Sequence, residues 1–169
     1  MTSQDLEIGY RGATACSAAG ITYRQLDYWA RTGLVEPSIR SASGSGTQRL
    51  YGFRDILVLK IVKRLLDAGV SLQNIRTAVT FLRSRGVTEL ERMTLMSDGA
   101  SIYECATPDE IIDLLQGGQG VFGIAVSKVW HEVEGSLSKL VGEINGESVH
   151  PVGAQDNDEL SQRRKAKGA

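Results

Sequence analysis

Two short helix-compatible stretches, separated by Ala19-Gly20-Ile21-Thr22, constrain this chain more than any other feature. The first runs from about Arg11 to Ala18 and closes at Ala19-Gly20. Thr22 starts the second, because its hydroxyl can accept from a free amide in the first turn of the following helix. Tyr23 to Thr32 forms that helix, and Gly33 is placed to end it in a left-handed conformation. Leu26, Trp29 and Ala30 make an inward stripe, which leaves Arg24, Gln25, Tyr28 and Arg31 largely outward. A short helix, a glycine turn and a second short helix is the helix-turn-helix arrangement.

Pro37 breaks the helical pattern. Ser38 to Arg49 is rich in Gly and Ser with an arginine at each flank, Arg40 and Arg49. That composition suits a β-hairpin with a mobile tip, a wing able to reach a DNA backbone, or a flexible linker. The wing is preferred, because a linker has no use for Arg40 and for Gln48-Arg49-Leu50-Tyr51. Phe53, Ile56, Leu57, Ile61 and Leu65 then keep helical spacing up to Gly69. Ser71 caps a further helix with apolar Leu72, Ile75, Val79 and Leu82, which Gly86 ends.

Past Gly86 the character changes. Met93 to Tyr103 reads as a hairpin around Asp98-Gly99, and Thr107-Pro108-Asp109-Glu110 as a capped helix start that stops at Gly117-Gly118. Val121 to Val126 suits either a buried strand or the opening of a helix. From Val126 through Val129, Trp130, Val133, Leu137, Leu140 and Val141 to Ile144 a helical stripe is expected. The expected fold is mainly α. Residues 1–9 are a loose leader, 10–86 a winged helix-turn-helix head, 87–145 a small α+β dimerisation or effector domain, and 146–169 a disordered tail.

Charge supports that division. The whole chain of 169 residues carries a net charge of -1. Between Tyr10 and Gly86, however, twelve Lys and Arg face four acids, a net of +8. Between Val87 and Asn145 three Lys and Arg face ten acids, a net of -7. A basic half joined to an acidic half fits a nucleic-acid-binding module followed by a part that stays off the phosphates. No apolar run approaches the roughly 20 residues needed to cross a bilayer, so no membrane partner is expected. Met1 to Asp5 lacks the basic start and apolar stretch of a signal peptide, and Cys16 and Cys105 suggest no disulfide framework; a reducing cytoplasm is expected.

The stretch Gly20-Ile21-Thr22-Tyr23-Arg24-Gln25-Leu26-Asp27-Tyr28-Trp29-Ala30-Arg31-Thr32-Gly33-Leu34-Val35 resembles the recognition helix and following turn of the MerR family. Arg49-Leu50-Tyr51-Gly52-Phe53-Arg54-Asp55 is similar to that family's wing exit, and Leu65 to Ile75 to its leucine-rich helix, glycine and Ser-Leu-x-x-Ile helix. The resemblance covers about Tyr10 to Arg85, and the wording from Asp27 to Val35 resembles a group of actinobacterial MerR-like regulators. It implies that Arg24 and Tyr28 face DNA and that Arg40, Arg49 and Tyr51 contact phosphates from the wing. Residue chemistry agrees. Arg24 and Gln25, near the helix N-terminus, can reach base edges, Arg pairing with guanine and Gln with adenine. Thr22 and Tyr23 open the same helix, Tyr28 and Arg31 suit phosphates, and Gln48 sits beside Arg49 on the wing. Tyr28 could instead pack under the wing, and Trp29 reads as core.

Two departures stand out. Asp27 occupies a position where many relatives carry a basic residue, and an acid beside phosphate is better used to pair with and orient a neighbouring arginine. The long dimer helix typical of the family is interrupted by Gly86. Cys105, His131 and His150 do not make a zinc shell, although two copies of Cys105 across a dimer axis could form a redox pair. No metal or other cofactor is expected. With no Gly-x-Ser-x-Gly, phosphate loop or catalytic carboxylate pair, the chain is not read as an enzyme. The expected function is a transcription regulator acting as a homodimer on a pseudo-palindromic promoter site. Its partners would be double-stranded DNA, a second copy, RNA polymerase, and a small-molecule or protein effector of unknown chemistry. An excisionase-like DNA-bending protein, or a regulator whose second domain only docks a protein, are the alternatives.

Overall fold

The last carbonyls of the first helix meet a left-handed Gly20 (φ 73°), and the second helix is followed by a left-handed Gly33 (φ 76°). Both conformations favour glycine, and they set the turns that orient the head. The computed structural model describes residues 8–40, 48–98, 101–116, 122–140, 142–144 and 147–149. Its head comprises β1 (Tyr10–Arg11), α1 (Gly12–Ala19), α2 (Tyr23–Arg31), β2 (Leu50–Tyr51), α3 (Phe53–Asp67) and α4 (Leu72–Ser84). β1 pairs antiparallel with β2, with Tyr10 opposite Tyr51 and Arg11 opposite Leu50. Arg40 bridges Leu50, whose N–H donates to the Arg40 carbonyl at 2.8 Å, so the base of the expected wing hairpin is present. Its tip, residues 41–47, lies outside the described residues.

α3 buries Ile56, Leu57, Val58, Leu59, Ile61 and Val62 completely, while its charged Lys60, Lys63 and Arg64 stay half-buried along one face. A helix covered over so much of its surface lies in the middle of a core. Around it lie α1, α4 and a later helix, α7 (Val126–Leu137). In α4, Ser71 Oγ accepts from the Asn74 N–H at 3.3 Å, as its composition predicts. Leu72 is 48% exposed, however, so the buried stripe begins at Ile75.

Gly86 does more than end α4. It precedes a short α5 (Val87–Arg92) absent from the sequence reading, whose start is fixed by Glu89 Oε2 accepting from the Gly86 N–H at 3.1 Å. Beyond it, β3 (Thr94–Ser97) and β4 (Ile102–Cys105) form the expected hairpin; Gly99 and Ala100 lie outside the described residues. α6 (Pro108–Gln116) begins where Thr107 and Pro108 place it, and its predicted stop at Gly117-Gly118 is outside the described residues. The segment left open between strand and helix is both: β5 (Phe122–Ala125) joins the sheet in the order β4-β3-β5, and α7 starts at Val126.

Two expectations are corrected here. The helical stripe through Ile144 ends at Leu137, and Ile144 belongs to β6 (Gly142–Ile144). Gly142 disfavours continuing the helix. The unstructured tail expected from residue 146 instead begins with β7 (Glu147–Val149), paired antiparallel with β6. Residues 150–169 lie outside the described residues.

The buried core runs without a break from head to acidic body, joining Ala15, Ile56 and Leu59 to Val126, Val129 and Val133. Phe53 and Trp130 stack tilted, with centroids 4.7 Å apart. At the edge of the same contact Glu132 pairs with Arg64 and, at 3.5 Å, with Lys60. The change in charge at residue 86 is therefore not a gap in the core. No helix among the described residues is long and apolar enough to cross a membrane.

Candidate nucleic-acid interface

Thr22 builds the start of α2 as a reciprocal capping box. Its Oγ1 accepts from the Gln25 N–H at 3.1 Å, and its own N–H donates to Gln25 Oε1 at 3.1 Å. The fixed start turns Arg24 outward, where it is exposed. It also engages Gln25, which is half-buried: bidentate pairing with an adenine would compete for the oxygen now held by the cap. Tyr23 and Tyr28 are 65% and 56% exposed, large aromatics left in solvent on a helix whose Leu26 and Trp29 are buried. Tyr28 is therefore not buried among the described residues, and Trp29 is core as expected.

Asp27 resolves the departure noted in the sequence. Its Oδ2 accepts from Arg31 Nε at 2.9 Å and its Oδ1 from Arg49 Nη1 at 2.8 Å. The hydrogen bond from Arg49, followed by the charges of Arg31 and Arg49, holds the Asp27 carboxyl below its ordinary range. The same bond holds the Arg49 guanidinium above its usual value. One carboxylate thus joins an arginine of α2 and an arginine of the wing exit in a single cluster. Arg40 is placed on the opposite wing strand, its Nε donating to the Gln48 carbonyl at 2.9 Å.

These groups surround a notch of about 600 Å³ between α2, the wing exit and the start of α1, lined by Arg11, Gly12, Tyr23, Gln48, Arg49 and Tyr51 among others. Arg11, the N-cap residue of α1, makes no side-chain cap hydrogen bond. The unpaired amides and partial positive charge of a helix start favour an anion. Tyr51 is placed differently from a surface contact. It is fully buried, its hydroxyl has no hydrogen-bond partner among the described residues, and burial pushes its pKa up to about 12. It supports the notch from beneath.

Thr22, Tyr23, Gln25, Arg31, Gln48, Arg49 and Tyr51 are therefore brought together around α2 and the notch, with Arg24 and Tyr28 on the exposed face beside them and Arg40 across the wing. The sequence reading missed Arg11 and the start of α1. Only the pairing of β1 with β2 brings them beside Arg49, and no local pattern announces it. Of the two cysteines, Cys16 packs against the core and Cys105 is buried, and both are free. Among the described residues no group of three or more His, Cys, Asp or Glu could hold a metal ion.

Comparison with known proteins places the chain in a family. A family described as MerR HTH family regulatory protein matches residues 10–82. The chain is 63% identical over 160 residues to an uncharacterized HTH-type transcriptional regulator of Mycobacterium tuberculosis (strain ATCC 25618 / H37Rv), across 94% of this chain and 69% of that protein. A counterpart in Mycobacterium bovis matches equally. More distantly, Heavy metal-dependent transcription regulator 1 of Rhizobium meliloti is 31% identical over 74 residues, 44% of this chain and 48% of that protein. The chain belongs to the MerR HTH family of DNA-binding transcription regulators, and not to a family of enzymes.

Proposed function

We propose that the protein is a cytoplasmic, sequence-specific regulator that binds a pseudo-palindromic promoter site as a homodimer, where it meets RNA polymerase. The observation that carries this reading is the Asp27 cluster, which joins the exposed face of α2 to the wing exit beside the start of α1. Arg24 reads a base edge in the major groove, with Gln25 beside it. Tyr23, Tyr28 and Arg31 meet sugar and phosphate, and Arg40, Gln48 and Arg49 hold the backbone from the wing. Thr22 fixes the start of the helix, and Tyr51 supports the phosphate-side notch from below.

The dimer is assigned to the acidic body, because the basic head must stay open to DNA. Ile112 (48% exposed) and Phe122 (39% exposed) lie on that body and suit such a contact. Footprinting of the full chain across its own genome, with sedimentation to count protomers per site, tests the reading. Two protected half-sites about one helical turn apart with two protomers bound are expected. A single protected half-site occupied by one protomer would sink the dimer assignment.

A further inference from the structure

A cleft on the acidic body is separate from the DNA-facing notch, and the geometry points to it as an effector site for a small organic amine with an apolar body. The cleft lies between the end of α4, α5 and the β4–α6 connection and encloses about 350 Å³. That is within the range of roughly 300–1,000 Å³ typical of small-molecule sites. Its floor is apolar, formed by Met93 (5% exposed) and Cys105 (3% exposed) with Ala106 beside them.

The walls carry charge that does not cancel. Arg85 at the end of α4 pairs with Glu104 of β4, its Nε donating to Glu104 Oε2 at 3.1 Å. Glu89 acts on Arg85 as well, and the lining as a whole sets three carboxylates, Glu89, Glu104 and Glu110, against the two arginines Arg85 and Arg92. Glu89 and Glu110 are each held by one oxygen only: Glu89 Oε2 by the Gly86 N–H at 3.1 Å, and Glu110 Oε2 by the Ala106 N–H at 2.6 Å. The other oxygen of each makes no hydrogen bond or ion pair among the described residues. The carboxylates are thus oriented and keep acceptor capacity. Negative charge reaches the floor as well: burial first, and then the Glu110 carboxylate, push the Cys105 thiol up. An ammonium group meets Glu89 and Glu110 while its apolar body covers Met93 and Cys105; a carboxylate of the same shape meets net repulsion.

The position of the cleft links it to the wing. Two residues before Arg85, Arg83 Nη1 lies 3.2 Å from Asp55 Oδ1 and its Nη2 donates to the Glu36 carbonyl at 3.1 Å. Buried Asp55 in turn accepts, on Oδ2, from the Ser38 N–H at 2.8 Å, the Ser38 hydroxyl at 2.7 Å and the Gly52 N–H at 2.8 Å. Ser38 and Gly52 flank the Arg40–Leu50 bridge at the base of the wing. A ligand that displaces the Arg85–Glu104 pair acts on the helix end that holds the wing. If it favours one wing position, ligand and DNA alter each other's affinity by the same factor.

The test titrates the full chain with 3-phenylpropylamine and n-octylamine, and with 3-phenylpropionate and octanoate as acids of the same bodies, by calorimetry and amide NMR. Saturable binding of the amines, with shifts centred on Met93, Cys105 and Ala106, and no binding of the acids is expected. Glu89→Gln with Glu110→Gln keeps the capping acceptors and should weaken the amines at least about tenfold. Thr88→Trp, at an exposed position of α5 on the rim, should block them while leaving the melting temperature near that of the parent chain. Absence of saturable amine binding, equal binding of the acids, or unchanged binding by Thr88→Trp overturns the site. The effector role also rests on the DNA reading: amine binding with unchanged affinity for footprinted DNA overturns that role. Loss of the DNA reading instead shows as no footprint, with amine binding intact.

Discussion

Asp27 of the second helix and Arg49 of the wing exit are joined by a 2.8 Å hydrogen bond, Arg49 Nη1 to Asp27 Oδ1, and the other oxygen of the same carboxylate holds Arg31 at 2.9 Å. The acid that would repel phosphate thereby joins the second helix to the wing exit. Asp27→Asn should tighten binding to non-cognate DNA, because a negative charge is removed, and lower the ratio of specific to non-specific affinity, because Arg49 and Arg31 lose their common anchor. Titrations of operator and random duplex at matched salt would show it; an unchanged ratio removes the orienting role.

The Asp27 pair also has a defined pH signature. Its folded carboxyl is held below the ordinary value of about 3.9, first by the hydrogen bond from Arg49. The stability it contributes is therefore complete above that ordinary value and is lost as pH falls through the lowered one. The difference in urea midpoint between the parent chain and Asp27→Asn should be constant from pH 5 to 8 on this basis and shrink only in the acid limb.

Arg24 and Arg49 should fail in different ways. Arg24→Ala is expected to cost about 1–3 kcal/mol at the operator and to relax specificity at one position. Arg49→Ala should weaken all sequences alike and lower the salt slope by about one contact. Affinities across a salt series on operator and mutated-operator duplexes separate the two, and identical behaviour of both variants would refute the docking geometry.

Asp55 is 1% exposed and receives the Ser38 and Gly52 amides, the Ser38 hydroxyl and Arg83. Asp55→Ala leaves the buried Gly52 N–H without its partner and frees Arg83, a loss of about 2–4 kcal/mol. Asp55→Asn should retain part of that. Urea denaturation measures both, and a loss under about 0.5 kcal/mol for alanine, the size of an ordinary surface substitution, would remove Asp55 from its central position.

Tyr51 sets the alkaline limit. Burial raises its pKa to about 12, so above the ordinary tyrosine value of about 10 the unfolded chain loses a proton that the folded chain keeps. Stability is unaffected below that value and falls as pH rises toward 12, with a slope of up to ~1.4 kcal/mol per pH unit. Tyr51→Phe should remove this component while the other tyrosines remain. A parent and a variant with the same alkaline slope would mean that the hydroxyl is solvated.

What could be read from the sequence was local. Thr22 and Ser71 cap their helices, Gly20 closes the first helix, Gly33 takes a left-handed turn, and the apolar spacing of Phe53 to Leu65 specifies a buried helix. These features depend on neighbours within about one turn, so residue order alone determines them. The same order supplied the outward face of α2 and the pairing role of Asp27 with an arginine. α5 was too short to show a period, and β6 with β7 interrupted a stripe that had looked helical because three-residue strands carry almost no pattern. Which arginine Asp27 would choose across the wing, the burial of Tyr51, the arrival of Arg11 beside Arg49, and the cleft under Arg85 and Glu104 belong to the tertiary structure. Each joins residues far apart in the chain, and only packing of α1, α3 and α7 around one core brings them within contact.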